Sequence, residues 1–300
     1  MSQPGTPNLD QLRVLIAVVE TGSLAAAGRR LGRATSAISY AIDNLEAQLG
    51  LPLFRRSGTR KPELTEAGQA VLAEARALAR GMDGLRARVA GLLEGLEAEV
   101  SLAVDVMLPT ERLVAALTQF QAEFPTVGLR LHVEALGAVP QMLGEGRVRL
   151  AVAGPLSSEL PEAEQHSLAG VMMIPVAAPG HPLTATGLPP GAASDHLQLV
   201  LTDRSPFTKG RDFGVLGART WRLADLGAKH ALLRAGAGWG NMPEPMVAED
   251  LASGRLIRLA LPDWPGTLYP LTLLHRRAEP PGPAARRLMA LLAADQSAAA

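Results

Sequence analysis

Cysteine is absent from this 300-residue chain, which excludes disulfides, iron–sulfur clusters and thiolate zinc sites together. Histidine is sparse. The six, at 132, 166, 181, 196, 230 and 275, never fall three to five positions apart and no HExxH occurs, so residue spacing along the chain offers no metal site. No apolar run approaches the ~20 residues of a membrane span. The opening MSQPGTPNLDQL has neither a basic start nor an apolar stretch of signal-peptide length. The expectation is a soluble cytoplasmic protein with no membrane partner. Enzyme signatures are missing too: there is no GxSxG, no P-loop and no paired-carboxylate site. The run Gly236–Gly240 is glycine-rich but follows a helical segment rather than a strand, which is the wrong context for a dinucleotide phosphate. No cofactor is expected.

Net charge is lacking as well, with 29 basic against 29 acidic groups. The balance is uneven in detail. Residues 1–62 carry eight basic side chains against four acidic ones, which fits a small nucleic-acid-binding head on a neutral body.

What is present begins with helical periodicity. Leu9 to Glu20 repeats apolar residues at helical spacing and stops at Thr21-Gly22; Ser23 is placed to cap a second helix, LAAAGRRL, which Gly32 ends. A third helix runs from about Thr35 to Leu49, with Ile38, Ile42, Leu45 and Leu49 on one face, and stops at Gly50. Two short helices joined by a glycine turn make a helix-turn-helix, with Ala27 and Gly28 allowing close approach and Leu31 and Ile38 filling the angle. LPLFRRSGTRKPELT then reads as a wing: two short strands around a basic tip.

Thr65 caps a long helix whose apolar positions fall at Val71, Ala75, Leu78, Met82, Leu85, Val89, Leu92 and Leu96, in alternating steps of four and three. Either the stripe lies on its own domain's core or it meets a second copy in a coiled coil. The charged flanks favour the second copy, whose packing would offset Gly81, Gly84, Gly91 and Gly95, each costing roughly 1 kcal/mol against alanine.

From Val100 strands and helices alternate: VSLAVDV, an amphipathic ERLVAALTQF helix, GLRLHVEAL, a GAVPQMLGEGRV helix and RLAVAG, which is a parallel α/β pattern. VMMIPVAA, LQLVLTD and RTWRLAD are further strands and AKHALLRAG a helix. The chain then returns through RLIRLAL and LYPLTLLHR to a last helix, AARRLMALLAA.

In this order, and through residues 23–68 above all, the chain resembles the LysR-type transcriptional regulators. The alanine-rich second helix, the S-A-I-S run, L-E-x-x-L-G-x-x-L-F-x-R and L-T-x-A-G are all present, while Phe124-Pro125, His181-Pro182-Leu183 and AGAGWG with Pro243 match more loosely. The resemblance implies a winged helix-turn-helix over 1–66, a linker and dimerisation (coiled-coil) helix over 67–98, and a periplasmic-binding-protein-like two-lobed α/β effector domain over 99–300. Lobe 1 would span about 99–170 and 268–300, and lobe 2 about 171–267.

It implies a sequence-specific DNA-binding regulator that senses a small-molecule effector, acts as a homodimer or dimer of dimers, and has RNA polymerase as a further candidate partner. Two alternatives stay open: a ligand-free body used only for oligomerisation, and an α/β solute-binding protein with an assembly head.

By the same resemblance, Ser23, Arg33, Thr35, Ser36, Ser39 and Tyr40, with Arg56, Arg60 and Lys61 of the wing, are the DNA-binding candidates. Arg33, Thr35 and Tyr40 depart from the family's usual residues, so operator sequence does not carry over. Ser36 has helix capping as an alternative role. The effector candidates are Asp105, Met107, Gly137, Thr202, Asp203, Trp221 and Arg222. An aspartate at 105 favours a neutral or cationic effector, unless it is paired with Arg112.

Overall fold

The computed structural model describes residues 6–55, 62–203, 205–211 and 213–294, and the chain divides into two compact units, 1–90 and 91–300. Among the described residues no single helix is long and apolar enough to cross a membrane.

In the first unit, α1 (Leu9–Thr21), α2 (Leu24–Leu31) and α3 (Thr35–Leu49) end as their punctuation dictates. Gly22, Gly32 and Gly50 each take the left-handed conformation that stops a helix. Asn8 and Gln11 form a reciprocal capping box on α1, and the Ser23 hydroxyl accepts from the Ala26 amide at 3.1 Å. Leu12, Leu15, Val18, Ile38, Ile42 and Leu45 interlock as the core. A Cβ at Gly28 would stand 2.7 Å from the Arg33 carbonyl oxygen, so only glycine admits this close a turn.

Leu31 does not fill the interhelical angle. It is the last residue of α2, turned outward before Gly32 and 36% exposed, and Ala27 and Ile38 close the angle instead.

The wing base is a single antiparallel bridge between Phe54 and Leu64. The Glu46 carboxylate holds it to α3, accepting from the amides of Leu53 and Phe54 at 2.6 and 3.1 Å. Thr65 caps α4 (Glu66–Leu93) by accepting from the Gly68 amide at 2.9 Å.

The second unit is built on β1 (Glu99–Asp105), α5 (Thr110–Glu123), β2 (Gly128–Glu134), α6 (Ala138–Gly144), β3 (Leu150–Ala153), β4 (Ala163–Ala177), β5 (Gln198–Leu201) and β6 (Thr220–Leu223). It continues with α7 (Leu226–Arg234), β7 (Trp239–Pro243), α8 (Glu244–Ala252), β8 (Ile257–Arg258), β9 (Thr267–Arg276) and α9 (Pro283–Ala293). The strands follow the order β2-β1-β3-β9-β4-β7-β5-β6, with β8 on β4.

The sheet is mixed rather than parallel throughout. β1 pairs parallel with β2 and β3, and β5 with β6 and β7, while β4 and β9 run antiparallel to their neighbours and to each other. Those two strands pass from one lobe to the other. β4 is longer than VMMIPVAA, and its register with β9 shifts between Leu168 and Val171.

The AGAGWG run has a packing explanation. It leads into β7, a strand the alternation did not reveal, and Cβ atoms at Gly238 and Gly240 would stand 2.4 and 2.7 Å from the carbonyl oxygens of Leu197 and Leu199.

Candidate DNA-contacting face and effector cleft

Helix α3 begins at Thr35 after Ala34, with no side-chain cap, so Ser36 is not used as one. Thr35, Ser36 and Tyr40 are exposed on the first turns, Tyr40 to 69%, and Ser39 is half-buried beside them. Short hydroxyls and a phenol at the start of an exposed helix suit base edges in a major groove. Arg33 is held in the protein's own bidentate pair, donating to both carboxylate oxygens of Asp10 at 2.6 and 2.8 Å. That contact keeps the Asp10 carboxyl below its usual range. Ser23 is half-buried as the cap of α2. Arg56, Arg60 and Lys61 lie outside the described residues.

On α4 the apolar stripe divides. Ala75 is buried in the head's core and Val71 packs against it, while Leu78, Leu85, Val89 and Leu92 are 47–57% exposed and Met82 is half-buried. Leu96 is not on the helix, which ends at Leu93; it packs against the core of the second unit.

In the second unit a cavity of about 460 Å³ opens where the crossing strands meet β5, walled by Met107, Leu156, Met173, Leu199 and Phe213. Its polar groups come from elsewhere. Lys229 of α7, only 3% exposed, donates to the Asn241 carbonyl oxygen at 2.6 Å, and burial pushes its pKa down to about 7. The Asn241 side-chain amide donates to the Gly214 carbonyl oxygen at 3.2 Å, while Asn241 Oδ1 and Trp264 Nε1 are buried without partners among the described residues. Gln198 Oε1 accepts from the amides of Leu216 and Gly217, which secures the loop behind them.

Asp105 is engaged differently from its sequence reading. Its carboxylate accepts from the Met107 amide at 2.9 Å and the Tyr269 hydroxyl at 2.7 Å, rather than pairing with Arg112, which donates to the Leu292 carbonyl oxygen. Full burial pushes its pKa up to about 6, and burial, with the neighbouring Asp105 carboxylate, pushes the Tyr269 phenol up. Asp105 thus positions a wall residue, Tyr269, and does not itself line the cavity.

Of the other effector candidates, Met107 lines this cavity. Thr202 and Asp203 line two further pockets, one with Glu134, Ala138 and Arg147 and one with Ser205, Lys209 and Arg222. Asp203 accepts from the Ala138 amide at the start of α6 at 2.8 Å and from the Thr208 hydroxyl, and a Cβ at Gly137 would stand 2.2 Å from Ser205 Oγ. Arg222 shares a solvent-open pocket with Thr202, Asp203, Lys209 and Arg211, and Trp221 is 51% exposed on the edge strand β6.

Lys229, Asn241, Trp264 and Tyr269 were not singled out by sequence. One signal was present: Lys229 sits between Leu226 and Leu233 on the buried stripe of α7. Among the described residues one group has the atoms to share a metal ion, Glu164, His166 and His275.

Comparison with known proteins decides what these parts belong to. Residues 9–69 match the bacterial regulatory helix-turn-helix proteins of the lysR family, and residues 93–297 match the LysR substrate binding domain. The chain belongs to the LysR family.

This LysR-type regulator is 30% identical over 266 residues to the probable HTH-type transcriptional regulator YhaJ of Escherichia coli K12, covering 85% of this chain and 87% of that protein. It is 30% identical to the HTH-type transcriptional activator AllS of Klebsiella pneumoniae over 83% and 93% of the two chains. Among solved structures, full-length LysG from Corynebacterium glutamicum with bound effector Arg shares its fold at a TM-score of 0.50 and 22% identity, covering 95% and 97% of the chains. A C206 mutant of OxyR from the same organism shares it at a TM-score of 0.51 and 20% identity, covering 97% and 91%. The LysR-type regulator is therefore a DNA-binding transcription regulator with an effector-binding domain, in a family of regulators and not of enzymes.

Proposed function

We propose that this LysR-type regulator reads operator DNA with Thr35, Ser36, Ser39 and Tyr40 of α3, as a cytoplasmic homodimer joined through α4. Its effector is a largely apolar molecule that carries one anionic or hydrogen-bond-accepting group. The observation that carries the effector reading is Lys229: a buried amine at the wall of an apolar cavity has its charge restored by an arriving carboxylate or equivalent acceptor. The neutral or cationic effector suggested by Asp105 loses its ground, because that carboxylate is held by Tyr269 and the Met107 amide.

Thermal-shift screening of the full-length protein against aromatic and aliphatic carboxylates, with the matching amines as controls, tests this. Carboxylates should raise Tm in the wild type and not in Lys229→Met, since a ligand at 100 times its Kd adds about 2.7 kcal/mol. Stabilisation by amines alone would overturn the assignment of charge.

Self-association through α4 is supported by the exposed apolar positions Leu78, Leu85, Val89 and Leu92 on a helix that carries four glycines. Leu85→Lys should convert a dimer to a monomer in analytical ultracentrifugation and weaken binding to a two-fold operator. An unchanged mass would remove α4 from the interface. A dimer of dimers would sediment as a tetramer in the same runs.

A ligand-independent body draws on Asp203, whose carboxylate accepts from the Ala138 amide. It predicts no stabilisation by any member of the panel.

A further inference from the structure

We infer that Glu164, His166 and His275 form a binding site for a divalent transition-metal ion, Zn²⁺ foremost, on the lobe 1 stretch of the two crossing strands. The strand register creates it. Glu164 and His166 are two residues apart on β4 and so share a face, and His275 of β9 lies directly opposite Glu164 in the antiparallel ladder, on that same face.

The two Glu164 oxygens stand 3.6 Å from His166 Nε2 and 3.6 Å from His275 Nε2, and the three ligand atoms all lie within 4.8 Å of one another. These gaps are longer than hydrogen bonds. Around a tetrahedral zinc with bonds of about 2.0–2.1 Å, neighbouring ligand atoms sit about 3.3–3.4 Å apart. Each 3.6 Å gap, one from each oxygen of the Glu164 carboxylate, is within a few tenths of an ångström of that spacing.

A second observation concerns His275 alone. It is buried, and its Nδ1 is 3.2 Å from the Arg276 carbonyl oxygen. A carbonyl only accepts, so Nδ1 carries the proton, and in the neutral ring Nε2 turns a lone pair toward the Glu164 carboxylate. An imidazole whose far nitrogen is fixed on a backbone carbonyl is the arrangement that metal-ligating histidines adopt.

Two imidazole nitrogens and one carboxylate suit Zn²⁺, Co²⁺ or Ni²⁺ and not the oxygen-seeking Ca²⁺ or Mg²⁺. Exposure of Glu164 and His166 leaves an entry path and a fourth position for water. An ion there would cross-link the strands that pass between the lobes.

Isothermal titration of the full-length protein with Zn²⁺, and Co²⁺ absorption in the visible, test the site. The expected result is one ion per chain, a tetrahedral Co²⁺ spectrum, and at least about tenfold weaker binding in His166→Ala and in Glu164→Gln. Both of those side chains are exposed, so circular dichroism should show their folds intact. The His181→Ala/His196→Ala double variant removes the other close histidine pair, with ring centroids 5.2 Å apart, and should bind as the wild type does. Failure of the wild type to bind, or wild-type binding by His166→Ala and Glu164→Gln, would overturn the proposal. So would loss confined to the His181/His196 variant.

Discussion

The two units of this regulator keep their polar chemistry on opposite sides of the solvent boundary. In the head, Thr35, Ser36 and Tyr40 stand outside a core made almost wholly of aliphatic side chains. In the effector domain, Asp105, Lys229 and Asn241 are inside, at 1%, 3% and 9% exposure. Exposed groups keep their hydration until DNA replaces it, so stability and recognition are separable in the head. Buried groups were desolvated during folding, so in the cleft any change in recognition is also a change in stability.

The sharpest way to break this contrast is to damage the head through its backbone. A Cβ at Gly68 would lie 2.1 Å from the Leu53 carbonyl oxygen, where α4 starts against the wing. Gly68→Ala should cost the head about 1–3 kcal/mol, as overpacking does. DNA binding should fall with it, while carboxylate-induced stabilisation of the effector domain persists. Differential scanning calorimetry with and without ligand checks both halves.

The second break is a pH effect confined to the cleft. Folded Lys229 titrates near 7 against 10.5 when unfolded, so between those values the unfolded chain holds more protons. Stability contributed by this group is fully present above 10.5 and is lost as pH falls through 7. Asp105 has the opposite sign: folded about 6 against 3.8, it contributes stability that is fully present below 3.8 and lost as pH rises through 6. Each slope reaches at most about 1.4 kcal/mol per pH unit. Urea unfolding across pH should show Lys229→Met flattening only the upper window and Asp105→Asn only the lower. A shared change in both windows would mean that the two groups titrate as one system.

The same contrast explains what could be read from residue order. The head's grammar is local: Ser23, Gly32, Gly50 and Thr65 act on helix ends within a few residues, and they stand where the pattern put them. Leu31 failed because burial at a helix end depends on the direction of the chain beyond Gly32, which periodicity does not encode.

The cleft is assembled from the turn after β1, β4, β5, α7, β7 and β9, so its members are strangers along the chain. Strand-end reasoning pointed to Met107 and Asp203, yet it could not say that Asp203 would also accept from the amide of Ala138. The heptad stripe likewise could not tell a core from a partner, and its first members went to the core. His166 and His275 show the limit most plainly, because only the pairing of β4 with β9 makes them neighbours.

Tyr40→Ala sharpens the head's side of the comparison. At 69% exposure its loss should leave Tm within the scatter of surface substitutions, about 0.5 kcal/mol. It should shift operator choice by about 1–3 kcal/mol at one base position. Selection from random duplexes reads the second quantity, and an unchanged preferred sequence would remove Tyr40 from base readout.

The smallest effect belongs to Arg33, a DNA-binding candidate whose charge is already engaged by the protein. Its bidentate pair with Asp10 is half-exposed on both sides, so Arg33→Ala should leave stability almost unchanged. If Arg33 leaves Asp10 for a phosphate, the variant weakens all duplexes alike and lowers the slope of log K against log salt by about one unit. If it stays on Asp10, its substitution leaves that slope untouched and shows only in Asp10, whose carboxyl then returns toward its ordinary range. A salt titration of wild type and variant on one scrambled duplex separates the two, because Asp10 itself makes no favourable contact with phosphate and contributes nothing to counterion release.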